Sequence, residues 1–210
     1  LKLPLIDRGN CRLLLGKNLK NNRHGQATVL SESDYSKIRK AIKSRKYRLL
    51  LDIAKYTGER WGALIQLRVS DVFNENGTPK DEITFRAETR KASPDGKRRT
   101  RQVPVHPSLK EILEAYKPPE GIWLFPAKQS GHHIGFKSAD EVFRQAVENA
   151  GLDHKGISTH STRRSFVTNL HSKGISIHVI QKLTGHHDLK SLVRYVDVSS
   201  EQLHQAIAVL

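Results

Sequence analysis

The chain has 210 residues, with 36 Lys and Arg against 21 Asp and Glu, which gives a formal net charge of +15 at pH 7. This length can bury a sizeable core, the single Cys11 excludes an intramolecular disulfide, and no apolar run approaches the roughly 18 residues that span a bilayer. The excess charge predicts a polyanionic partner, with nucleic acid as the first candidate and an anionic membrane surface as the second.

The start of the chain differs from the rest. Residues 1–27 combine basic residues with Gly and Asn and lack a periodic apolar pattern, which predicts a basic N-terminal arm or a poorly ordered terminus. The chain has no methionine and begins at Leu1, so we expect a fragment of a longer protein. The single cysteine favours a reducing, intracellular setting.

Three helices are predicted in the next forty residues. Ser31 and Asp34 have the spacing of a capping box, and apolar residues at helical spacing follow them. A second helix is predicted over residues 49–56 and ends at Gly58. A third begins near Arg60, with Leu64 and Leu67 on one face.

The middle of the chain changes to an alternating pattern that predicts strands. Residues 82–88 alternate apolar and polar side chains, residues 98–105 are a plausible partner strand, and residues 93–96 (Ser-Pro-Asp-Gly) are typical of a turn. The resulting segment, residues 82–105, is named the basic hairpin because it carries Arg86, Arg90, Lys91, Lys97, Arg98, Arg99 and Arg101.

Helices return after the basic hairpin. Helices are predicted over 108–116 and 137–150, with a short buried turn or strand between them over 123–126. From residue 162 onward the prediction is nearly continuous helix, with breaks at 174, 185 and 198–200. Trp61, Trp123 and Phe125 are expected in the core. The predicted fold class is mainly α with a small antiparallel β-sheet, an α+β domain.

Motifs for nucleotide cofactors and for metals are missing from the sequence. No glycine-rich phosphate loop and no His-Glu-x-x-His motif occurs. The adjacent pairs His132-His133 and His186-His187 would diverge by about 100° on a helix, so they are poor chelators. We therefore predict no cofactor and no catalytic metal.

Five residues in four segments suggest phosphate chemistry. His160 and Arg163 are three residues apart, so they share a face at the start of a helix. His186 follows a glycine, and Tyr195 lies a short distance downstream. Far upstream, Arg60 is predicted at a helix N-terminus, a position that attracts phosphate.

Together these segments resemble the catalytic domain of the tyrosine recombinases, the family that includes phage integrases and chromosome-dimer-resolving recombinases. Residues 56–72 (YTGERWGALIQLRVSDV) are similar to the family's first-arginine box, and residues 160–186 are similar to its His-x-x-Arg box running on to Gly-His. Residues 194–198 (RYVDV) carry the tyrosine. The resemblance implies the tyrosine recombinase catalytic fold over residues 28–198, followed by an amphipathic tail helix over 199–210.

The chemistry of strand cleavage gives each residue a role. Two guanidinium groups, Arg60 and Arg163, would clamp the non-bridging oxygens of a phosphodiester. Tyr195 is the expected nucleophile, because its phenol can form a reversible phosphotyrosyl ester. His160 would assist the tyrosine proton or hold the phosphate, and His186 would hydrogen-bond a non-bridging oxygen.

A hairpin cation is expected to protonate the leaving 5′-oxygen. Lys91 is the preferred residue, because it ends the first strand where the family's lysine usually lies, and Lys97 is the alternative. Candidate DNA contacts are Arg90, Lys97, Arg98, Arg99 and Arg164, the last being a DNA-backbone or a structural contact. Two residues depart from the family pattern: Ala63 replaces a frequent acidic residue, and Arg164 replaces a frequent histidine.

The resemblance implies a site-specific recombinase that cleaves and rejoins double-stranded DNA through a 3′-phosphotyrosine, without metal or ATP. It also implies a homotetramer on DNA, a separate N-terminal core-binding domain, a DNA-associated intracellular location and no role for a membrane. The tail over 199–210 would dock on a neighbouring protomer or on its own domain.

Two other functions are compatible with the composition. A type IB topoisomerase would use related chemistry to relax DNA, but the spacing from Gly-His to Tyr195 is more similar to integrases. A non-catalytic DNA-binding module could keep the fold, but it would be expected to have lost part of the set of five residues.

Overall fold

The computed structural model describes residues 26–90, 92, 96–129, 131–193, 195, 203–204 and 207–208. Within these residues the chain forms eight α-helices and one two-stranded antiparallel sheet. The helices are α1 (Glu32–Ala41), α2 (Arg45–Thr57), α3 (Trp61–Leu64), α4 (Pro107–Glu114), α5 (Phe136–Asn149), α6 (Thr159–Ser172), α7 (Ile177–Thr184) and α8 (Leu189–Val193). The strands are β1 (Glu82–Phe85) and β2 (Arg101–Pro104), so the predicted fold class is confirmed.

Local signals set the ends of the first two helices. The predicted capping box is present at α1, where the Ser31 hydroxyl accepts from the Asp34 N–H at 3.1 Å and the Asp34 carboxylate accepts from the Ser31 N–H at 3.3 Å. Helix α2 begins at Arg45, four residues before the predicted start, because residues 45–48 are good helix formers with little apolar pattern. It ends as predicted, at Gly58 with φ of 60°.

Helix α3 and the two strands are shorter than predicted. Helix α3 ends at Leu64, and the Leu67 carbonyl instead accepts a hydrogen bond from the Leu124 N–H at 2.9 Å. Strand β1 pairs with β2 from Glu82 opposite Pro104 to Phe85 opposite Arg101. Residues 87–89 then form a 3₁₀ turn, and Lys91 and residues 93–95 of the predicted turn lie outside the described residues.

The main core lies between α1, α2, the sheet, α4 and α5, and a smaller cluster joins α6, α7 and α8 through Val167, Ile180 and Leu192. Trp61 and Phe125 are buried as predicted. The prediction for Trp123 was only half right: its ring is half-buried, because its indole N–H reaches the Gly131 carbonyl at 3.0 Å near the surface.

A buried carboxylate joins α1 to α2. Asp52 is 0% exposed and accepts hydrogen bonds from Arg39 Nε and Nη2 at 2.8 and 2.9 Å and from the Tyr35 hydroxyl. Arg39 and Asp52 line a cavity that shares no residue with the cavities of the candidate active site, so Asp52 provides a matched comparison for a buried carboxylate there.

The two ends of the chain lie largely outside the described residues. Of the predicted arm over 1–27, the structure describes the last two residues, and the Ala27 carbonyl accepts a hydrogen bond from Arg164 Nη1 at 2.7 Å. Of the predicted tail helix over 199–210, it describes four residues. In the part of the chain that is described, no helix is long and apolar enough to cross a membrane.

Candidate active site

Arg163 connects the turns that carry the other candidate residues. Its side chain is almost completely buried on α6; Nη1 donates to the Gly58 carbonyl at 2.8 Å and Nη2 to the Thr184 carbonyl at 2.9 Å. The first carbonyl precedes Arg60 at the start of α3, and the second precedes His186 after α7. One guanidinium therefore fixes two segments that are distant in sequence.

Two glycines allow these turns to approach their neighbours. Gly58 and Gly185 both have positive φ, 60° and 63°. A Cβ on Gly58 would lie 2.5 Å from the Phe166 ring, and a Cβ on Gly185 would lie 2.2 Å from Nη2 of Arg90. The guanidinium of Arg90 thus occupies the space that a side chain at position 185 would need.

His186 is held as a neutral imidazole. The Thr184 hydroxyl donates to the Ile180 carbonyl at 2.7 Å, so it accepts the His186 Nδ1–H at 2.6 Å. Arg163 Nη2 lies 3.1 Å from His186 Nε2 and 3.3 Å from its Nδ1, so the guanidinium approaches the face of the imidazole. Burial, followed by the positive charges of Arg163 and Arg60, lowers the pKa of His186 to about 3.

We expect His186 to stay neutral with the proton on Nδ1 between pH 7 and pH 5 in the DNA-free protein. Two-bond ¹⁵N–¹H correlation spectra, with the signal assigned by a His186→Gln variant, should show no titration there. Because the folded pKa is below the ordinary value of 6.5, the stability from this group is full above pH 6.5 and falls as pH drops toward 3. A titration midpoint near 6.5 would contradict this arrangement.

Tyr195 lies beside His186. Its ring centroid is 6.1 Å from that of the imidazole, and the planes are inclined by 50°. The backbone at Tyr195 is anchored twice, through its N–H to the Leu192 carbonyl at 2.8 Å and through its carbonyl to the Thr168 hydroxyl at 3.0 Å. The half-buried tyrosine is therefore attached to both α8 and α6.

Arg60 and His160 present exposed side chains to a cavity of about 290 Å³. Arg163, Arg90 and Phe136 also line this cavity. Arg60 also lines a second cavity of about 350 Å³, whose lining is mainly basic: Arg60, Arg90, Arg99, Arg101, Lys182 and His187. Both cavities share Arg60 and Arg90, and their charge suits an anion with more than one phosphate.

The candidate cations of the basic hairpin fall in different places. Lys91 lies outside the described residues, and Lys97 is exposed. Arg98 is exposed and donates to the Glu88 carbonyl at 2.9 Å, while Arg99 lines the second cavity. Of the described basic-hairpin residues, Arg90 is the one that lines both cavities, and its Nη1 donates to the Arg99 carbonyl at 2.8 Å.

Arg164 lines neither of the two cavities. It is buried, and it holds the Ala27 carbonyl against α6. Of the two alternatives that the sequence left open for Arg164, the structure favours the structural contact. Ala63, the other departure from the family pattern, lines the first cavity, where its methyl group contributes no charge.

Two charged residues of the site were missed by the sequence analysis. Glu59 is 1% exposed, and Arg101 of β2 is also buried; Arg101 Nη2 donates to Glu59 Oε2 at 2.5 Å. Alternation along β2 could have revealed Arg101, since it shares the inward face with Val103. No pattern around Glu59 distinguishes it from an exposed turn residue.

The charge of Arg163 persists in this surrounding. Burial, and next the neighbouring Arg60, lowers the pKa of Arg163 to about 9, so the group remains protonated at neutral pH.

Among the described residues, no group of three His, Cys, Asp or Glu side chains is arranged to hold a metal ion.

Comparison with known sequences gives one family. A sequence model described as the phage integrase family matches residues 28–202. The tyrosine recombinase XerD of Corynebacterium glutamicum is 30% identical over 158 residues, which cover 75% of this chain and 50% of that protein. XerD of Brucella suis is 25% identical over 175 residues, which cover 80% of this chain and 53% of that protein, so the chain spans about half the length of these relatives.

Solved structures share the fold. The crystal structure of XerA recombinase superposes with a TM-score of 0.66 at 20% identity, covering 87% of this chain and 65% of that one. The catalytic domain of bacteriophage HP1 integrase superposes with a TM-score of 0.61 at 22% identity, covering 87% of this chain and 95% of that one. The chain therefore belongs to the phage integrase family of tyrosine recombinases and has the fold of their catalytic domain.

Proposed function

We propose that this chain is the catalytic domain of a site-specific recombinase that cleaves and rejoins double-stranded DNA through a 3′-phosphotyrosine. The observation that carries the proposal is the convergence of Arg163, His186 and Tyr195 beside the cavity that Arg60 and His160 line. Arg163 connects the two groups, because it lines the cavity with Arg60 and His160 and also contacts His186, whose ring lies beside that of Tyr195.

The scissile phosphate occupies the first cavity in this mechanism. Arg60 and Arg163 stabilise the negative charge that gathers on its non-bridging oxygens. The Tyr195 oxygen attacks phosphorus while the bond to the 5′-oxygen breaks, and His160 accepts the tyrosine proton or holds the phosphate. Attack by a free 5′-hydroxyl on the phosphotyrosyl ester reverses these steps and releases Tyr195.

The leaving 5′-oxygen needs a proton donor. Lys91 is the proposed donor and Lys97 the alternative. The planar guanidinium of Arg90 suits a phosphate contact better than the role of an acid. Arg99, on the rim of the second cavity, and exposed Arg98 are proposed to follow the DNA backbone.

The assembly is proposed to be a tetramer on two DNA sites, located with the DNA inside the cell. A recombinase of the same fold, XerH, has been crystallised bound to its difH substrate, and it superposes on this chain with a TM-score of 0.62. In the proposed assembly residues 1–27 are a basic arm, and the tail over 199–210 docks on a neighbouring protomer or on its own domain. Sedimentation of the protein with the duplex selected below tests the tetramer.

The nucleophile can be tested without knowing the target sequence. A library of nicked duplexes with a randomised centre is incubated with the protein, and SDS-resistant adducts are captured and sequenced. Cleavage near the nick releases a short strand, which traps the covalent intermediate. We expect adducts that enrich one sequence, hereafter the captured duplex, and none with Tyr195→Phe.

The matched control is Tyr116→Phe, since Tyr116 is a half-buried tyrosine that lines a cavity with Arg39 and Glu111, away from the site. This variant should form adducts at the wild-type rate. Adducts formed by Tyr195→Phe, or a library that yields none with the wild type, would refute the proposal. Adducts without sequence enrichment, together with relaxation of supercoiled plasmid, would indicate a type IB topoisomerase instead.

A further inference from the structure

A single buried carboxylate lies among the arginines of the site. Glu59 Oε2 is 2.5 Å from Arg101 Nη2 and 3.4 Å from Arg90 Nε, and Oε1 is 3.7 Å from Arg163 Nη1. Oε1 also accepts the backbone N–H of Arg60 at 2.8 Å. The carboxylate therefore contacts each of the four arginines through a side chain or the backbone.

These contacts join three separate parts of the fold. Glu59 belongs to the turn between α2 and α3, and Arg163 belongs to α6. Arg90 and Arg101 both belong to the basic hairpin, Arg90 after the 3₁₀ turn and Arg101 on β2. The Thr57 hydroxyl accepts the Glu59 N–H at 3.3 Å, so the backbone at Glu59 is also held. A shift of this carboxylate would move the basic hairpin relative to the residues that face the scissile phosphate.

The charge of Glu59 is needed by its surroundings. Burial alone would raise the pKa of Glu59, but Arg101, Arg163, the Arg60 N–H and Arg90 together lower it, so the group is ionised at neutral pH. Without it, Arg101 and Arg163 would be buried like charges with no carboxylate partner among the described residues, which is strongly unfavourable.

We propose that Glu59 is a positioning residue for strand cleavage: its carboxylate holds Arg163 and Arg90 at the phosphate and couples them to the basic hairpin through Arg101. This inference rests on the proposed function. Arg90 and Arg163 contact the phosphate, whereas Glu59 acts only through them. Misplacement of reacting groups by about 1 Å can cost about 100-fold in rate.

Glu59→Gln is the informative variant, because the amide keeps the shape and can still accept the Arg60 N–H but has no charge. We expect the maximal single-turnover rate on the captured duplex to fall about 10- to 100-fold. The duplex concentration that gives half the maximal rate should stay within about threefold of wild type, since the exposed cations that bind the backbone remain. Glu59→Asp, which keeps the charge on a shorter side chain, should recover part of the rate.

Asp52→Asn separates positioning from general stability. Asp52 is as deeply buried as Glu59 and pairs with an arginine, but it lines neither of the two cavities of the site. We expect its thermal unfolding temperature to fall with the cleavage rate unchanged. Where Glu59→Gln does not fold, Glu59→Asp carries the test and is expected to fold and to cleave more slowly than wild type.

The outcomes are distinguishable. Absence of adducts with the wild type refutes the proposed function itself. If the wild type forms adducts and Glu59→Gln cleaves at the wild-type maximal rate, the proposed role of Glu59 is refuted while the proposed function stands. The same holds for Glu59→Asp where that variant replaces Glu59→Gln in the test. Rate losses that match between the Glu59 variant and Asp52→Asn, once both are compared at equal fractions folded, would also overturn it.

Discussion

Replacing Arg163 with lysine is expected to lower the maximal rate of adduct formation on the captured duplex by about 100- to 1000-fold, as removal of one preorganised donor does elsewhere. Lysine keeps the charge, but one ammonium group cannot replace the planar pair of nitrogens that bind the Gly58 and Thr184 carbonyls. The turns before Arg60 and His186 would lose their shared anchor. Single-turnover kinetics at saturating duplex measure the effect.

Arg86→Lys is the matched control for this prediction. Arg86 Nε donates to Asp71 at 3.1 Å and its Nη2 donates to the Gln66 carbonyl at 2.6 Å, and it lines neither cavity. Its replacement should lower the thermal unfolding temperature and leave the cleavage rate intact. If Arg163→Lys cleaves within about threefold of the wild-type rate, the lost transition-state stabilisation is less than about 1 kcal/mol. That result would contradict the role of Arg163.

Replacing Gly58 with alanine is expected to lower the free energy of unfolding by about 2–4 kcal/mol, because backbone strain and overpacking add. The residue has φ of 60°, and the new Cβ would lie 2.5 Å from Cδ1 of Phe166 and 2.7 Å from its Cγ. Phe166 belongs to α6, three residues after Arg163. Relief of the clash would therefore also displace the turn between α2 and α3 that carries Arg60. Chemical denaturation measures the loss.

Gly62→Ala provides the comparison within the same segment. Gly62 lies in α3, and a Cβ there would meet no heavy atom within 4 Å. Alanine should leave the free energy of unfolding unchanged or raise it slightly, by about 0.4–1 kcal/mol, because glycine is the poorer helix former. Equal effects at positions 58 and 62 would show that the contact with Phe166 has no energetic role.

Some boundaries of the fold could be predicted because their causes are local. The capping box at Ser31 and the left-handed glycine at Gly58 each depend on residues within one helical turn. The lengths of α3 and the strands depend on partners elsewhere, such as the pairing of Leu67 with Leu124, so periodicity alone overestimated them. Tertiary hydrogen bonds decided where these elements end.

The candidate site likewise has features that the sequence predicts and features that only the structure reveals. Sequence alone predicted Arg60, His160, Arg163, His186 and Tyr195 as site residues, because their residue types recur at spacings that a family shares. It assigned Arg90 to general DNA contacts, whereas the structure places that guanidinium against Gly185 at the junction of both cavities. Burial of a charge cannot be predicted from its neighbours in sequence, since the compensating partner can lie anywhere in the chain.

The sequence by itself determined the family and the fold class, and it predicted a set of residues whose chemistry suits a phosphodiester. A net charge of +15 indicated a polyanion without placing it. Only the tertiary structure decided which charges act together, because Glu59 and Arg101 are 42 residues apart and Gly58 and Arg163 are 105 apart. Such contacts form only when the sheet and α6 close on the turn between α2 and α3, and that closure gathers four arginines around one carboxylate.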